Sequence, residues 1–435
     1  MLEHLFKLKE HNARPGTEIM AGMATFLTAV YILVVNPLIQ SHAGMPHKAL
    51  FTATALAIII GTLLIGLFAN MPFILAPGMG INVFFAFSIV GGKGYAWQEA
   101  LTAVLVAGVL FVLTGLLGLR TILYHGFPEP LKYAMTVSLG LMIAVIGLKN
   151  SGVIVMLDDR VALGTVTSGS PLIALLGILV TGMFLSMGLR AAVLLGIIAT
   201  TMLGALNGVT DYSRLLAEGV FSMPPDVTPI AMAFSWDFSR IFTSDFVIIV
   251  FTLLAIDIFD SLGTFVGVLN HFTGDEKKKY EERIPRALMC DAVATVAGAC
   301  VGASTVTTFV ESSTGITAGG KTGMVSLTIS ALVFLALFIS PVFLMVPAAA
   351  TTPALVIVGM YMMKQSHNIN FSDVSEGLPA IVMVLVTALT LSISDGLMFG
   401  WISFVVFKLI SGKERELNVT TLAVAAFFVV RLMLL

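Results

Sequence analysis

The sequence predicts an all-α polytopic membrane protein of about fourteen transmembrane segments, built as two seven-span repeats of opposite orientation. Three observations carry this. The 435 residues are 57% hydrophobic and only 11% charged, whereas a soluble domain carries about 25% charged residues. Apolar runs of roughly 17–25 residues follow one another along the chain, separated by charge, Pro or Gly. Two of these runs are interrupted by polar or helix-breaking residues, and they stand at corresponding places in the two halves.

The first seven segments fall at about 17–38, 49–69, 71–90, 99–119, 131–148, 171–189 and 191–207. The second seven fall at about 245–269, 285–303, 304–319, 324–343, 345–363, 378–394 and 396–411. This divides the chain into an N-terminal segment (1–16), a first repeat (17–207), an external loop (208–244), a second repeat (245–411) and a C-terminal segment (412–435). The apolar stretch 419–435 reads as a terminal interfacial helix. The opening residues, MLEHLFKLKEHNARPGTE, have no apolar core followed by a cleavage site, so the first span is expected to do the targeting.

The third segment contains LAPGMGINVFFAF, with Pro77, Gly78 and Gly80 at mid-depth, and the tenth contains GASTVTTFVESSTG, too polar to face lipid. A broken backbone at membrane depth survives only where protein or a cavity satisfies its polar groups. Thr17 and Asp245 open the two halves 228 residues apart, and Asn82 plus 228 gives 310, next to Glu311. An odd number of spans in each half turns the second copy upside down. Paired interruptions of this kind point to a binding site.

Orientation follows from positive charge. With the N-terminus inside, the inner segments hold Lys7, Lys9, Arg14, Arg120, Lys132, Arg190, Lys277, Lys278, Lys279, Arg283, Arg286, Lys321, Lys364, Lys408, Lys413 and Arg415. The outer segments hold only Lys48, Lys93, Lys149, Arg160, Arg214 and Arg240. Both termini are therefore expected in the cytoplasm. The net charge of −2, with no basic tail, gives no sign of a nucleic-acid partner. Cys290 and Cys300 lie in one apolar stretch and read as small core residues, not as a disulfide or a metal pair. No cofactor or metal site is expected.

Ionisable residues inside spans are costly and so mark function. They are Asp257, Asp260, Asp291, Glu311 and Asp395. Asp260 (in IDIFDSLGTF) and Glu311 (in TTFVESSTG) lie near mid-depth, each followed by small residues that leave room for a ligand. Such carboxyl groups suit exchange of a coupled proton and hydrogen bonding to a planar polar ligand; the plainer reading is that they tie helices together. That plainer reading weighs more for Asp257 and Asp291, which are taken as supporting polar groups with Thr264 and Thr308. It also weighs more for Asp395, at a turn where a helix cap is expected. In the third segment, Gly80 and Asn82 offer backbone and amide groups, and a half-helix is expected to begin near Asn82. Phe84, Phe85 and Phe87 could stack on an aromatic ligand, but that spacing more often packs against core or lipid.

Gly315 to Thr322 spell G-x-x-x-x-G-K-T, a full match to the phosphate-cradling P-loop pattern. A working P-loop needs a buried strand before it and a soluble α/β domain around it. Here TVTTFVESST precedes it inside a span, and the longest segment between spans is about 208–244. The glycines read better as the exit of a broken helix, with Lys321 at the cytoplasmic edge. A membrane-embedded hydrolase fits poorly as well: G-x-G-D, H-E-x-x-H and G-x-S-G are all missing, and the repeat is left without a purpose. A channel of similar architecture is the closer rival.

TEIMAGMATFLTAVYILVVNP, LAPGMGINVFFAF, DIFDSLGTFVGV, GASTVTTFVESSTGITAGGKTG and TTPALVIVG occur in this order. Together they resemble the azaguanine-resistance type of adenine/guanine/hypoxanthine permease. That type belongs to the nucleobase/ascorbate (nucleobase:cation symporter-2) transporter superfamily. The likeness runs from about Thr17 to Lys413, and the P-loop spelling is part of the family's own T-G-x-x-x-G-G-[RK]-T-G stretch starting at Thr314.

The resemblance implies a uracil-permease-like fold, with a core domain of spans 1–4 and 8–11 and a gate domain of spans 5–7 and 12–14. It implies proton-coupled purine uptake across the inner membrane by an elevator-like movement, and dimers that meet through the gate domains. Asp260 and Glu311 match the carboxylates that hold the purine, with either as proton-coupling candidate. Gly80 and Asn82 match the glycine and asparagine of the third span. Val310 and Ser312 flank Glu311 and are expected to hold the remaining purine edge. Carriers of xanthine, uracil or an anion share this fold and are the alternatives. Two departures stand out: Val83 where a small Ala is expected, and VLVTALTLSISDG where the family more often has a Met-Pro-Phe stretch.

Overall fold

The computed structural model describes residues 2–118, 127–157, 160–241, 243–269 and 274–434. Arg120, counted above for orientation, lies outside them. The first half runs α1 (Pro15–Ala29), α2 (Ile32–Ser41), α3 (His47–Leu64), β1 (Leu75–Pro77), α4 (Met79–Val83), α5 (Trp97–Leu116), α6 (Glu129–Asn150), β2 (Ile154–Leu157), β3 (Arg160–Leu163), α7 (Gly169–Ser186) and α8 (Ala192–Leu206). The second runs α9 (Ser244–Leu269), α10 (Ile284–Cys300), β4 (Val306–Thr308), α11 (Ser312–Thr317), α12 (Gly323–Ala336), α13 (Ala348–Met363), α14 (Val374–Thr390), α15 (Ile393–Ile410) and α16 (Val419–Leu434). Short helical turns lie between them.

Among the described residues, eight helical stretches are long and apolar enough to cross a membrane: Pro15–Ser41, His47–Ala69, Trp97–Leu116, Glu129–Asn150, Gly169–Ser186, Ser244–Phe265, Gly323–Leu344 and Ile393–Ile410. The other expected spans fall on shorter elements: Met79–Gly92, Ala192–Leu206, Val374–Thr390, α10, α13, and the β4–α11 pair.

Both interrupted segments become a short strand followed by a short helix. The two strands pair antiparallel, with Leu75 opposite Thr308, Ala76 opposite Thr307 and Pro77 opposite Val306. Beyond the strand ends, Gly78 N donates to Thr305 O (3.0 Å) and Phe309 N to Ile74 O (3.0 Å). Thr62 of α3 both donates to Leu75 O and accepts from Leu75 N, each at 3.1 Å. Extended backbone buried in an apolar protein is thus satisfied by the other interrupted segment and by neighbouring hydroxyls, as burial requires.

The helices pack in two groups. In one, α12 lies on α1 and α3, α10 on α3 and α5, α9 on α5, and α11 on α1. In the other, α6 packs on α13 and α14, α14 on α15, and α7 on α8 and α13. The groups meet where α4 touches α6, α2 touches α13, α9 touches α6 and α15, and α1 touches α8. Inside the second group the α6 and α13 backbones touch: a Cβ on Gly359 would lie 2.4 Å from Gly140 O. Small residues permit such approach between membrane helices.

The segment between α8 and α9 is stitched to the first group. Ser222 N donates to Phe338 O (2.9 Å) and Met232 N to Cys300 O (2.8 Å). Thr52 Oγ1 donates to Pro225 O (2.8 Å). Three features differ from the sequence expectation. The half-helix begins at Met79, with Gly78 as its N-cap, not near Asn82. The first span breaks between α1 and α2. A β2–β3 hairpin lies between the fifth and sixth expected spans, where the sequence reading placed no element. Cys290 and Cys300 are free thiols.

Candidate substrate site

Glu311 leads from β4 into α11 and is that helix's N-cap residue, yet its side chain does not cap the helix. It reaches across to the first span instead, where Tyr31 OH donates to Glu311 Oε1 at 2.7 Å. Tyr31 occupies the break between α1 and α2 and is 1% exposed. Asp260, in α9, accepts from Thr307 Oγ1 of β4 at 3.3 Å. Asp260 and Glu311 are both partly exposed and lie within electrostatic reach of each other. Tyr361 of α13 lies within the same reach of Glu311, from the other helix group. The site therefore gathers two carboxyl groups, two phenols and a threonine hydroxyl from α9, β4 and its link to α11, the α1–α2 junction and α13. Val310, one residue before Glu311, is 61% exposed although its neighbours from Ala303 to Phe309 are buried, so the chain opens outward here.

The other predicted residues lie around this centre in different ways. Asn82 is fully buried, and its Nδ2 donates to Asn36 Oδ1. Asn36 Nδ2 in turn donates to Thr54 Oγ1 (2.7 Å) and Gln40 Oε1 (3.2 Å), while Asn82 Oδ1 has no hydrogen-bond partner. Gly80 faces α6, where a Cβ would come within 3.0 Å of Leu139 Cδ2. Ser312 Oγ donates to Phe309 O (2.6 Å) and accepts from Ile74 N (3.1 Å), so it staples the crossing. Val310 O already accepts from Ser313 N (2.9 Å), and Ser312 N donates to Phe309 O (3.2 Å). The backbone from 310 to 312 is thus less available than the sequence suggested.

Asp291 is wholly buried with both oxygens engaged, by Ser261 Oγ (2.5 Å) and Thr308 Oγ1 (3.5 Å). Asp257 accepts from Thr295 Oγ1 (3.0 Å) on one oxygen; the other is buried without a partner. Thr264 is buried in α9, one turn beyond Asp260. At Asp395, the cap is Ser392, whose hydroxyl accepts from Asp395 N (3.4 Å). Phe84 and Phe85 are fully buried, and Phe87 packs on His42. Sequence reasoning missed Tyr31, Thr307, Asn36 and Tyr361. The available signal for the first and third was polarity inside an apolar span, in AVYILVVNP.

The P-loop spelling serves a different anion. Lys321 N donates to Glu18 Oε1 (2.9 Å), while Thr322 N (3.0 Å) and Thr322 Oγ1 (2.7 Å) donate to Glu18 Oε2. Glu18 belongs to α1 and is fully buried. The glycines let α1 approach: a Cβ on Gly315 would meet Thr25 Oγ1 at 2.3 Å, and one on Gly320 would meet Ala21 Cβ at 2.8 Å. The amides that would cradle a phosphate hold a carboxylate of the same chain.

A bundle of membrane-crossing helices around two paired, interrupted segments defines a multi-pass transporter. The chain belongs to the Permease family, whose model matches residues 16–399. Among its relatives, the adenine permease AdeQ of Escherichia coli is 37% identical over 100% of this chain and 96% of its own. The guanine/hypoxanthine permease PbuO of Bacillus subtilis is 37% identical over 99% of this chain and 100% of its own. The putative permease MJ0326 of Methanocaldococcus jannaschii is 39% identical over 99% of this chain and 98% of its own. In fold, the chain resembles the transmembrane domain of the cyanobacterial bicarbonate transporter BicA, with a TM-score of 0.61 at 14% identity, covering 88% of this chain and 96% of that one. It also resembles the murine anion transporter Slc26a9 in its inward-facing state, with a TM-score of 0.65 at 13% identity, covering 91% and 68%.

Proposed function

We propose that this permease takes up purine nucleobases (adenine, guanine or hypoxanthine) by proton symport, as a secondary active transporter of the cell's inner membrane with both termini in the cytoplasm. The observation that carries the reading is the pair Asp260 and Glu311. They sit at the β1–β4 crossing, partly exposed and within reach of each other. Two carboxyl groups can accept from, or when protonated donate to, the polar edge of a purine, and either can carry the coupled proton. Relatives that are adenine and guanine/hypoxanthine permeases over nearly their whole length support the substrate class. Carboxylates repel an anion, which speaks against an anion carrier on this fold.

Spans 1–7 and 8–14 are inverted repeats; spans 1–4 and 8–11 form the core and spans 5–7 and 12–14 the gate. An elevator-like movement of core against gate carries the purine, and a homodimer forms through the gate domains. The packing of the helices into two groups, each with more extensive contacts inside it than across to the other, favours such a movement. Asn82, Gly80, Val310 and Ser312 shape the site, and Asp257, Asp291, Thr264 and Thr308 support it.

The test is uptake of labelled adenine, hypoxanthine and guanine into cells lacking purine transport, with and without a protonophore. Saturable uptake that collapses with the gradient, and is abolished in Asp260→Ala and Glu311→Ala proteins present in the membrane at native levels, is the expected result. Wild-type rates in either variant, or uptake indifferent to the gradient, would refute that part of the proposal.

A further inference from the structure

We infer that Tyr31 is a positioning residue of the substrate site: its phenol holds one oxygen of Glu311 and presents the other to the purine. The inference rests on the proposed role of Glu311 as a purine-binding carboxylate. Three features of the geometry lead to it. First, Glu311 stands at the start of α11, but its side chain makes no cap to that helix. Its carboxyl group reaches to span 1, 280 residues away in sequence. Second, the bond is 2.7 Å long, a well-formed hydroxyl-to-carboxylate hydrogen bond. Third, Tyr31 is 1% exposed, so its hydroxyl must find a buried partner and its ring has little room to turn.

A glutamate has three side-chain torsions, and a ligand that had to freeze them would bind correspondingly more weakly. Tyr31 freezes them in advance. It does so from a rigid place: the junction of α1 and α2, where the chain leaves one helix at Ala29 and enters the next at Ile32. Oε1 is committed to the phenol, so Oε2 is the oxygen that remains to meet a purine N–H or ring nitrogen. The phenol also belongs to the carboxyl group's immediate hydrogen-bond environment, so it takes part in whatever proton exchange Glu311 performs.

Tyr31→Phe keeps the ring and removes only the donor. The expected result is normal abundance and thermal stability in the membrane, a KM for purine uptake raised about tenfold or more (about 1.4 kcal/mol per factor of ten), and a displaced pH profile of uptake. A KM and a pH profile both equal to the native protein's would overturn the inference, and so would a raised KM with an unmoved pH profile, which would leave Tyr31 a packing residue only. If Tyr31→Phe fails to reach the membrane, 3-fluorotyrosine at position 31 serves instead. It preserves size and strengthens the donor, and it must move the pH profile if the inference holds. Glu311→Ala measured in parallel separates the two claims. Native uptake there removes the role of Glu311 itself, whereas dead Glu311→Ala beside native-like Tyr31→Phe removes only the role of Tyr31.

Discussion

Replacing Glu18 tests the reading of the P-loop spelling as an internal clamp. Its carboxylate accepts three hydrogen bonds, from Lys321 N, Thr322 N and Thr322 Oγ1, at 2.9, 3.0 and 2.7 Å. Glu18→Ala removes the acceptor and leaves two backbone N–H groups facing an apolar gap. A buried donor left without a partner costs about 1–3 kcal/mol. Thr322 is fully buried and the Lys321 bond only partly, so the loss should be about 2–5 kcal/mol, with the larger share at Thr322. For a chain of this size that corresponds to a fall in melting midpoint on the order of 2–5 °C. Glu18→Gln retains one acceptor but turns an NH2 group toward a donor, so it should fall between Ala and native. The assay is thermal unfolding of purified protein in detergent, followed by loss of the monodisperse peak. A Glu18→Ala midpoint equal to native would mean that the two amides have other partners, and the clamp would be wrong. Saturable ATP binding abolished by Lys321→Ala would revive the nucleotide reading.

Other outcomes follow from close contacts and charge. Gly359→Leu should eliminate folded protein, because its Cβ would stand 2.4 Å from the Gly140 carbonyl and neither backbone can yield; a sharp, native-like peak on size exclusion would show that α6 and α13 do not touch there. Ser222 Oγ and Ser340 Oγ lie 2.9 Å apart, so Ser222→Cys with Ser340→Cys, in a background lacking Cys290 and Cys300, should oxidise to a crosslink. If the segment between α8 and α9 moves as one body with the helices it is bonded to, uptake continues after oxidation; arrest reversed by reductant would show that the two move apart. The Asp373 carboxyl is held down to about 2, chiefly by the hydrogen bond from Lys413 and then by the Ser375 hydroxyl. A depressed carboxyl stabilises above its unfolded value near 3.8 and loses that contribution as pH falls through about 2. Protease resistance of the C-terminal segment should therefore be flat from pH 5 to 8 in the native protein and uniformly lower in Asp373→Asn; a slope within that range in the native protein alone would contradict the assignment.

The two interrupted segments were legible because Pro77, Gly78 and Gly80, and the hydroxyl-rich run around Thr308, cannot form a lipid-facing helix. That they would become paired strands was not legible: three residues with no alternation carry no strand period, and the pairing belongs to the tertiary fold. The half-helix start was displaced from Asn82 to Met79 for a related reason. Gly78 takes an extended conformation and caps the helix, a choice fixed by its bond to Thr305 across the crossing. Asp260 and Glu311 stood out as charges inside apolar runs. Their hydroxyl partners did not, because Tyr and Thr are common in spans, and only proximity across 280 residues singles out Tyr31.

Counting lone pairs separates the buried carboxylates better than burial alone. Asp291 has a hydroxyl on each oxygen and no exposure, which is how a carboxylate that ties α10 to α9 and β4 should look. Asp260 has one hydroxyl at the long distance of 3.3 Å and remains partly exposed. Its acceptor capacity is largely unspent on the chain's own groups, and a carboxylate left so at membrane depth is costly unless something else completes its shell. Asp257 falls between: one oxygen is served by Thr295 and the other is buried without a partner, so no ligand from the crevice can reach it. By this count Asp260 is the carboxylate left available to a ligand, while Asp291 and Asp257 are tied to the hydroxyls that hold α9 and α10 together. Asp291→Asn should then lower the melting midpoint while sparing purine affinity in the protein that remains folded. Asp260→Asn should do the reverse, and an exchange of these two phenotypes would invalidate the count.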